Sequence, residues 1–518
     1  MTSNACIKSV ESKGNVVINA LEITSSQNAR LKGVESDENL TKSKRGKKSK
    51  QGKKGKPSPE EIARIRAERE LMRKAKREEM LAKGLDPDFP PEVQFIKRPM
   101  LAIHDKERDP VKGFNFTLMT YNCLAQALIR RKLFPDSGEA VKWFRRSKVL
   151  LNKFSHYKSD VICLQEVDSI QFQSFWKEEL GKMGYESQFY KKGSKNHGVA
   201  IAWKRNLFIL KDKMLIDYDK EPSGDIPTRT ITNNVGLVLA LQFSKKVLSQ
   251  FPGTKRSGIL IGTTHLFWHP FGTYDRTRQT YIVLNKMKEF MHRVNVLQEE
   301  NDGDDSHWFP FFCGDFNSQP YDTPYLSMVQ KPIKYKDRAK FVIECSTSFK
   351  FSKKRDGETD LDDEEGGNIE KFGKDQPQTP VPEFFNPTEE QATMVKNMEN
   401  LHNSLDMRAI SLYSVGYHKV HPENAGKDNC KGEPEISNWA HTWHGLLDYL
   451  FYIRQWDFDD KRKVDLLDDF EKENGFKIRG LLRMPGKEEM EKFGHGQPYT
   501  GEYPSDHLTM ICDLELDM

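Results

Sequence analysis

Six apolar runs in this chain each end, or begin, in a side chain able to hold a cation or a proton. MTYNCLA delivers Asn122, DVICLQEV delivers Glu166, GILIGTTHL delivers His265, and FFCGDFNSQP delivers Asp315 and Asn317. HGLLDYLFYI opens its run at Asp448, and YPSDHLTM carries Asp506 and His507. A lone Asp or His in such a place is more often a turn or cap residue, because short polar side chains bond their own backbone. The recurrence across several runs is what argues for chemistry. Mg2+ takes hard oxygen ligands and keeps several waters, so one or two carboxylates, such as Glu166 and an Asp, suffice to hold it beside a phosphate. Phosphodiester hydrolysis further requires a group that orients or deprotonates water, and donors for the charge that builds on phosphorus. Asn, Asp and His supply those functions. The chain lacks H-E-x-x-H, G-x-S-x-G and G-x-x-x-x-G-K-[ST], which sets aside zinc proteases, serine hydrolases and P-loop enzymes.

Groups so scattered in sequence can meet only on strands that end together. From Phe114 onward, short β-branched, aromatic and aliphatic runs alternate with amphipathic stretches, the texture of a layered α/β domain. The runs predict strands at 114–122, 160–166, 198–203, 235–243, 259–265, 309–315, 448–453 and 508–514. Helices are predicted at 139–154, 172–182 and 275–294. The last carries Tyr281, Leu284, Met287, Lys288 and Met291 at roughly helical spacing, a pattern of core packing.

The flanks read differently. Residues 1–57 lack periodicity, and nine of the sixteen positions from Thr41 to Lys56 are Lys or Arg with no acid among them. This is a disordered lysine-rich arm, suited to RNA phosphates or to a nuclear address, or else a solvated tail. Residues 58–111 form a charged helix and linker, with Ser58 as N-cap, Pro59 at the first helical position and Glu61 completing a capping box. The helix should run to about residue 83 and stop at Gly84. Residues 112–518 form the catalytic domain, interrupted near 353–388 by a disordered acidic insertion, since seven of the ten residues from Asp356 to Glu365 are acidic.

Chain-wide composition bounds the class. With 36% hydrophobic and 11% aromatic residues, among them 31 Phe and 16 Tyr, the chain can bury a large core. A net charge of +5, from 81 basic and 76 acidic residues, identifies no partner by itself. Seven cysteines without a C-x-x-C pair argue against a disulfide framework and against a cysteine zinc site, and place the chain in a reducing, intracellular compartment, cytoplasm and/or nucleus. Neither an apolar leader nor a membrane-length apolar run is found, so no membrane association is expected.

TYNCLA, LQEVD, THLFWHP, CGDFNSQP, LDYLFY and SDHL, in this order over roughly residues 112 to 516, resemble the endonuclease/exonuclease/phosphatase superfamily. The match is to its nocturnin and Ccr4-type deadenylase branch, and within that to the yeast Ngl-type RNA exonucleases. The resemblance implies a four-layer α/β sandwich, two mostly antiparallel sheets flanked by helices. It implies a Mg2+-dependent 3′→5′ exoribonuclease, with Mn2+ as a substitute, that releases nucleoside 5′-monophosphates from single-stranded RNA such as poly(A) or a 5.8S ribosomal RNA precursor. No obligate protein partner is implied.

By the same resemblance Glu166 is the principal metal carboxylate, with Asn122 beside it and Asp506 as a second metal-proximal carboxylate. Asp315 and Asn317 position the attacking water and the phosphate or metal, His265 contacts phosphate, and His507 is the catalytic histidine, oriented and charged by Asp448. Pro270 and Trp443 fall where the deadenylases sandwich an adenine, with Trp in place of the usual Phe. His197 stands where the family commonly has an acid, and no role is assigned to it. The chain has neither a PAWCDR-like segment, as inositol phosphatases do, nor the NxNGLRA texture of abasic-site enzymes. The competing readings are a nocturnin-like dinucleotide phosphatase and a catalytically inert RNA-binding protein.

Overall fold

The computed structural model describes residues 58–82, 91–105, 107–193, 195–302, 307–351, 376–441, 443–462 and 465–518. The lysine-rich arm, the helix stop at Gly84 and the acidic run at 356–365 lie outside the described residues. The chain divides into two units, Met1–Glu92 and Val93–Met518. In the first, helix α1 spans Pro59–Ala82, and the Glu61 amide donates to Ser58 Oγ at 3.1 Å, as the cap sequence predicts. Its largely charged sequence leaves even Leu71 and Met72 exposed.

Among its described residues the second unit contains fifteen strands. In chain order they are β1 Met100–Ala102, β2 Phe114–Asn122, β3 Val161–Asp168, β4 Tyr185–Tyr190, β5 His197–Lys204, β6 Phe208–Asp217, β7 Val235–Phe243 and β8 Arg256–His265. They continue with β9 His307–Asp315, β10 Met407–Ser411, β11 Asn438–Ala440, β12 Trp443–Gly445, β13 Asp448–Gln455, β14 Phe476–Leu482 and β15 Met510–Leu516. One sheet runs β1-β14-β15-β2-β3-β5-β4, the other β10-β13-β9-β8-β7-β6, and β11 pairs with β12 in a small hairpin. Each large sheet holds a single parallel pair, β2 with β3 and β8 with β9, in an otherwise antiparallel order. A parallel pair needs a long crossover, and helices α2 (Trp143–Tyr157) and α3 (Thr273–Asp302) lie in the two connections.

Side-chain alternation builds the layers. Along β2, Phe114, Phe116 and Leu118 join the main core with Phe208, Phe243 and Phe311 of the facing sheet, whereas Met119 and Tyr121 point to the other side. There they pack with Leu150 and Phe154 of α2 and with Trp176 of the helical segment 169–182. On the far face of the second sheet, α3 contributes Ile282, Leu284, Met287 and Phe290 to the main core. Helix, sheet, sheet and helix make the expected four-layer α/β sandwich. Strands buried on both faces read as continuous apolar runs, which is why β7, β8, β9 and β13 were legible without strict alternation.

Several boundaries differ from expectation. The predicted helix at 139–154 is a 3-10 turn, Gly138–Val141, followed by α2. The helix at 275–294 is longer at both ends, and the one at 172–182 begins at Ser169. Of the insertion expected to be disordered near 353–388, residues 376–388 are described and are laid against the domain. Gln376 exchanges hydrogen bonds with the Lys350 backbone at 2.8 and 3.0 Å, and Phe384 packs on Phe341 of helix α4 (Asp337–Ser348) with ring centroids 5.3 Å apart. Thr388 then caps helix α5 (Glu389–Ser404) with a complete capping box.

Candidate active site

In a parallel pair the carboxyl ends of both strands reach the same edge, so β2 and β3 present Asn122 and Glu166 together, and β8 and β9 present His265 and Asp315. Register pairs His265 with Asp315, and Asp315 in turn with Asp448, the first residue of antiparallel β13. The residues before β15 bring Asp506 and His507 to the same place, and an isolated bridge ties His507 to Asn438. Gly314 is needed for the β8–β9 approach, since a Cβ there would lie 2.2 Å from the Thr264 carbonyl oxygen.

Glu166 sits in an irregularity of β3 between Leu164 and Val167, with φ +53°. A left-handed conformation is uncommon for a non-glycine residue and persists where surrounding bonds over-determine it. Here Asn122 Nδ2 donates to Glu166 Oε1 at 2.9 Å, and the Ala125 amide donates to Oε2 at 2.9 Å. Asn122 Nδ2 also donates to Asp315 Oδ2 at 3.0 Å, so one amide couples the two sheets. Burial pushes the Glu166 carboxyl up, but the charges of His265 and His197 and these hydrogen bonds outweigh it, and its pKa is lowered.

His265 stands with Nε2 3.6 Å from Asp315 Oδ2 and Nδ1 4.0 Å from Glu166 Oε1. Glu166, His265 and Asp315 therefore form a cluster compact enough for one cation. Two hard carboxylates in it suit Mg2+ or Mn2+. Asp506 adds a second observation. Burial, with the charge of Glu166 adding to it against His507, raises its carboxyl to about 6. Two carboxylates that raise each other's cost of ionisation are what a divalent cation relieves. Because His265 lies in one cluster with Glu166 and Asp315, this residue, read from the sequence as a phosphate contact, stands within reach of a cation held there.

His507 Nδ1 donates to Asp448 Oδ2 at 2.8 Å, and its Nε2 lies 3.5 Å from Asp315 Oδ2. Burial disfavours the imidazolium, but the charges of Asp448 and Asp315 and the Asp448 hydrogen bond prevail, and the histidine pKa is raised well above its ordinary value. The proton of the pair resides on the imidazole, because Asp448 Oδ2 also accepts the Ser437 hydroxyl at 2.7 Å. Asn317, with φ +47°, donates its backbone amide to Asp315 Oδ1 at 2.9 Å and its side-chain amide to the Leu266 carbonyl at 2.9 Å. That bond joins the CGDFN turn to the THL turn.

Pro270 is exposed in the loop after β8, and Trp443 is 38% exposed on β12. A Cβ at Gly445 would meet the Trp443 ring at 3.0 Å and the Gln319 amide carbon at 3.4 Å. The indole thus lies over the hairpin beside the loop that follows Asn317, with area open for a stacking partner.

Some residues that build the site gave no sequence signal. Ser437 accepts the Leu447 and Asp448 amides at 2.9 and 3.0 Å while donating to Asp448. Its context, EISNWA, resembles any strand start. Arg146, one of several bases in WFRRSK, is buried. It donates to the carbonyls of Cys123, Leu124 and Pro504 and to Gln126 Oε1, locking the loop after Asn122 to the loop before Asp506. Asp168 accepts the Gln126 and Ala127 amides at 2.6 and 3.1 Å and pairs across the sheet with His197. Arg146→Lys is expected to destabilise the fold by about 2–4 kcal/mol, since buried carbonyls lose donors at ~1–3 kcal/mol each. Turnover should fall more than KM rises, and thermal unfolding with steady-state kinetics would show both.

Comparisons with known proteins agree with this geometry. Residues 119–335 match the model of the Endonuclease/Exonuclease/phosphatase family. The chain is 70% identical over 480 residues to RNA exonuclease NGL2 of Saccharomyces cerevisiae, covering 92% of each protein. It is 41% identical over 473 residues to the probable RNA exonuclease NGL3 of the same organism, covering 89% of this chain and 90% of that one. Among solved structures, that of ANGEL2, described as a 2′,3′-cyclic phosphatase, superposes with a TM-score of 0.50 at 21% identity, over 82% of this chain and 99% of the other. With a family model over residues 119–335, which include Asn122, Glu166, His265 and Asp315, and a relative this similar along nearly its whole length, the chain belongs to the Endonuclease/Exonuclease/phosphatase family and is a hydrolase.

Proposed function

We propose that the protein is a Mg2+-dependent 3′→5′ exoribonuclease that hydrolyses single-stranded RNA to nucleoside 5′-monophosphates. The observation that carries this reading is the convergence of Asn122, Glu166, His265, Asp315, Asp448 and His507 at one end of the sandwich, in a chain 70% identical to a protein named an RNA exonuclease.

Glu166, with Asp315, His265 and Asp506 near it, would hold the Mg2+, for which Mn2+ can substitute; the ion supplies charge neutralisation of phosphoryl oxygens. The protein's own groups do the rest. Asp315 Oδ2, faced by Asn122, His265 and His507, is the acceptor that orients the attacking water, and Asn317 holds the Asp315 turn in place. The His507 imidazolium, held by Asp448, donates Nε2–H toward the phosphoryl oxygens as their charge grows. Pro270 and Trp443 offer surfaces for the terminal base, and stacking on an aromatic contributes about 1–3 kcal/mol. Poly(A) shortening and 5.8S ribosomal RNA 3′-end maturation are the two settings this activity suits. Among the described residues no helix is long and apolar enough to cross a membrane, and the lysine-rich arm suits RNA phosphates or a nuclear address, with the cytoplasm and/or nucleus as the place of action.

Digestion of 5′-labelled poly(A) and of a mixed-sequence RNA, with Mg2+ or with EDTA, tests the reading. A metal-dependent ladder shortening from the 3′ end supports it, and the ratio of the two rates measures adenine selectivity. Release of inorganic phosphate from a dinucleotide, with both RNAs left intact, would replace it by the phosphatase reading.

Asp506 ties metal demand to pH. Protons compete for a carboxyl raised to about 6, so the Mg2+ concentration for half-maximal rate should rise up to about tenfold per pH unit below that value. In Asp506→Asn the dependence should flatten. The raised carboxyl also costs stability: the unfolded chain ionises first, so stability falls as pH rises from the ordinary 3.8 through about 6. In EDTA at neutral pH, Asp506→Asn should therefore be the more stable protein, by about 1–3 kcal/mol, while being the poorer enzyme.

A further inference from the structure

Between Gln126 and Lys148 the chain carries seven basic residues against two acidic ones, a surplus of five equal to the net charge of the whole protein. Of these, Arg130, Arg131 and Lys132 are exposed at the tip of a loop that begins inside the active site. That loop is rigid at its root. The Ala125 amide is held by Glu166, the Gln126 and Ala127 amides by Asp168, and the Leu128 amide closes a turn onto Ala125 at 3.1 Å. Buried Phe134 and Ala140 fix the other side, and the following helix α2 returns Arg146 to bind the same loop. Arg130 is five residues past Ala125, so its Cα lies within roughly 18 Å of Ala125 even if the chain were fully extended.

The tip is interleaved with apolar side chains that the fold leaves in water. Leu133 is 38% exposed and Phe144 52%, with the Arg145 guanidinium 5.3 Å from the Phe144 ring centroid. Ile170, 76% exposed, stands two residues beyond Asp168. Cations that track a backbone, mixed with faces on which bases can lie, are what single-stranded nucleic acid requires. The roles proposed above concern the reacting nucleotide, and the strand behind it needs a surface of its own.

We propose that Arg130, Arg131 and Lys132, with Leu133, Phe144 and Arg145, form the track for the single-stranded RNA upstream of the nucleotide being removed. The proposal rests on the exoribonuclease reading and deepens it: the catalytic cluster cuts any fitting phosphodiester, and the track makes a polymer the preferred substrate.

The test compares wild type with the triple variant Arg130→Gln, Arg131→Gln, Lys132→Gln and with Phe144→Ala. Binding of a labelled single-stranded RNA of about twelve nucleotides, within the ~4–16 that one groove engages, is measured in EDTA by fluorescence anisotropy over a salt series. Cleavage of that RNA and of a dinucleotide is measured with Mg2+. For the triple variant the slope of log affinity against log salt should fall by about 2, at ~0.7 per contact removed. KM for the long RNA should rise about tenfold or more at unchanged kcat, with dinucleotide cleavage unaffected. Phe144→Ala should weaken binding about fivefold or more. An unchanged salt slope and KM in the triple variant would overturn the track, and so would equal losses on both substrates, which would trace the effect to the catalytic loop. Failure of wild type to cut either substrate would count against the exoribonuclease reading alone, since binding in EDTA still reports on the track.

Discussion

Glu166→Gln is expected to lower turnover by about a thousandfold or more while leaving the protein folded. The substitution keeps the shape of the side chain and the strained backbone that aims it, and removes only the charge. Both carboxylate oxygens now accept hydrogen bonds, from Asn122 and from the Ala125 amide. A glutamine can satisfy one of them, and its own NH2 then faces the other donor, a local cost of about 1–3 kcal/mol. That is small beside the lost chemistry, because the surroundings of Glu166 lower its pKa and so favour the charged form that the substitution removes. An inert RNA-binding protein predicts the reverse: RNA function intact in the variant. Circular dichroism and thermal unfolding verify the fold, and single-turnover cleavage reads the effect.

Asp448→Asn should cost about 10²–10⁴ in turnover and move the pH profile. The histidine it serves keeps its proton because the charges of Asp448 and Asp315 overcome burial. With an amide in place of the carboxylate, the imidazolium loses its main support, its pKa falls, and the alkaline limb of the rate profile shifts to lower pH. The same linkage bears on stability with a definite sign. A histidine whose folded pKa is raised contributes stability that is fully present below its ordinary 6.5 and is lost as pH rises through the folded value. The variant should therefore lose stability most at acid and neutral pH and least at alkaline pH. Ser437→Ala, which removes only the hydroxyl that holds Asp448, should give a weaker version of both effects.

The strands that carry the chemistry were legible because each is an apolar run closed by one polar residue, and burial on both faces leaves no ambiguity about where the run stops. β6 was not, although it pairs with β7 along its whole length. FILKDKMLID sets Lys211, Asp212 and Lys213 side by side in an edge strand whose burial, not its sequence, alternates, and the charges masked the pattern. β14, FKIRGLL, was hidden by Arg479, which is buried by ion pairs with Asp109 and Glu515 that no local reading foresees. The small strands β11 and β12 are too short to show a period, yet they carry Trp443.

At the site, the residue types were readable and the couplings between them were not. That Asn122 would bond both Glu166 and Asp315 depends on two facing sheets whose strands end at the same place, which is a tertiary fact. The same is true of Arg146, a buried base among half-buried and exposed ones, and of His197, set opposite Asp168 by cross-strand register.

The most direct test of the whole account is to identify the first product released from an RNA labelled in its 3′-terminal nucleotide, by chromatography after brief exposure to the enzyme and Mg2+. A labelled nucleoside 5′-monophosphate is expected, absent in EDTA and absent with Glu166→Gln. Release of inorganic phosphate in its place, or liberation of internal fragments, would contradict it.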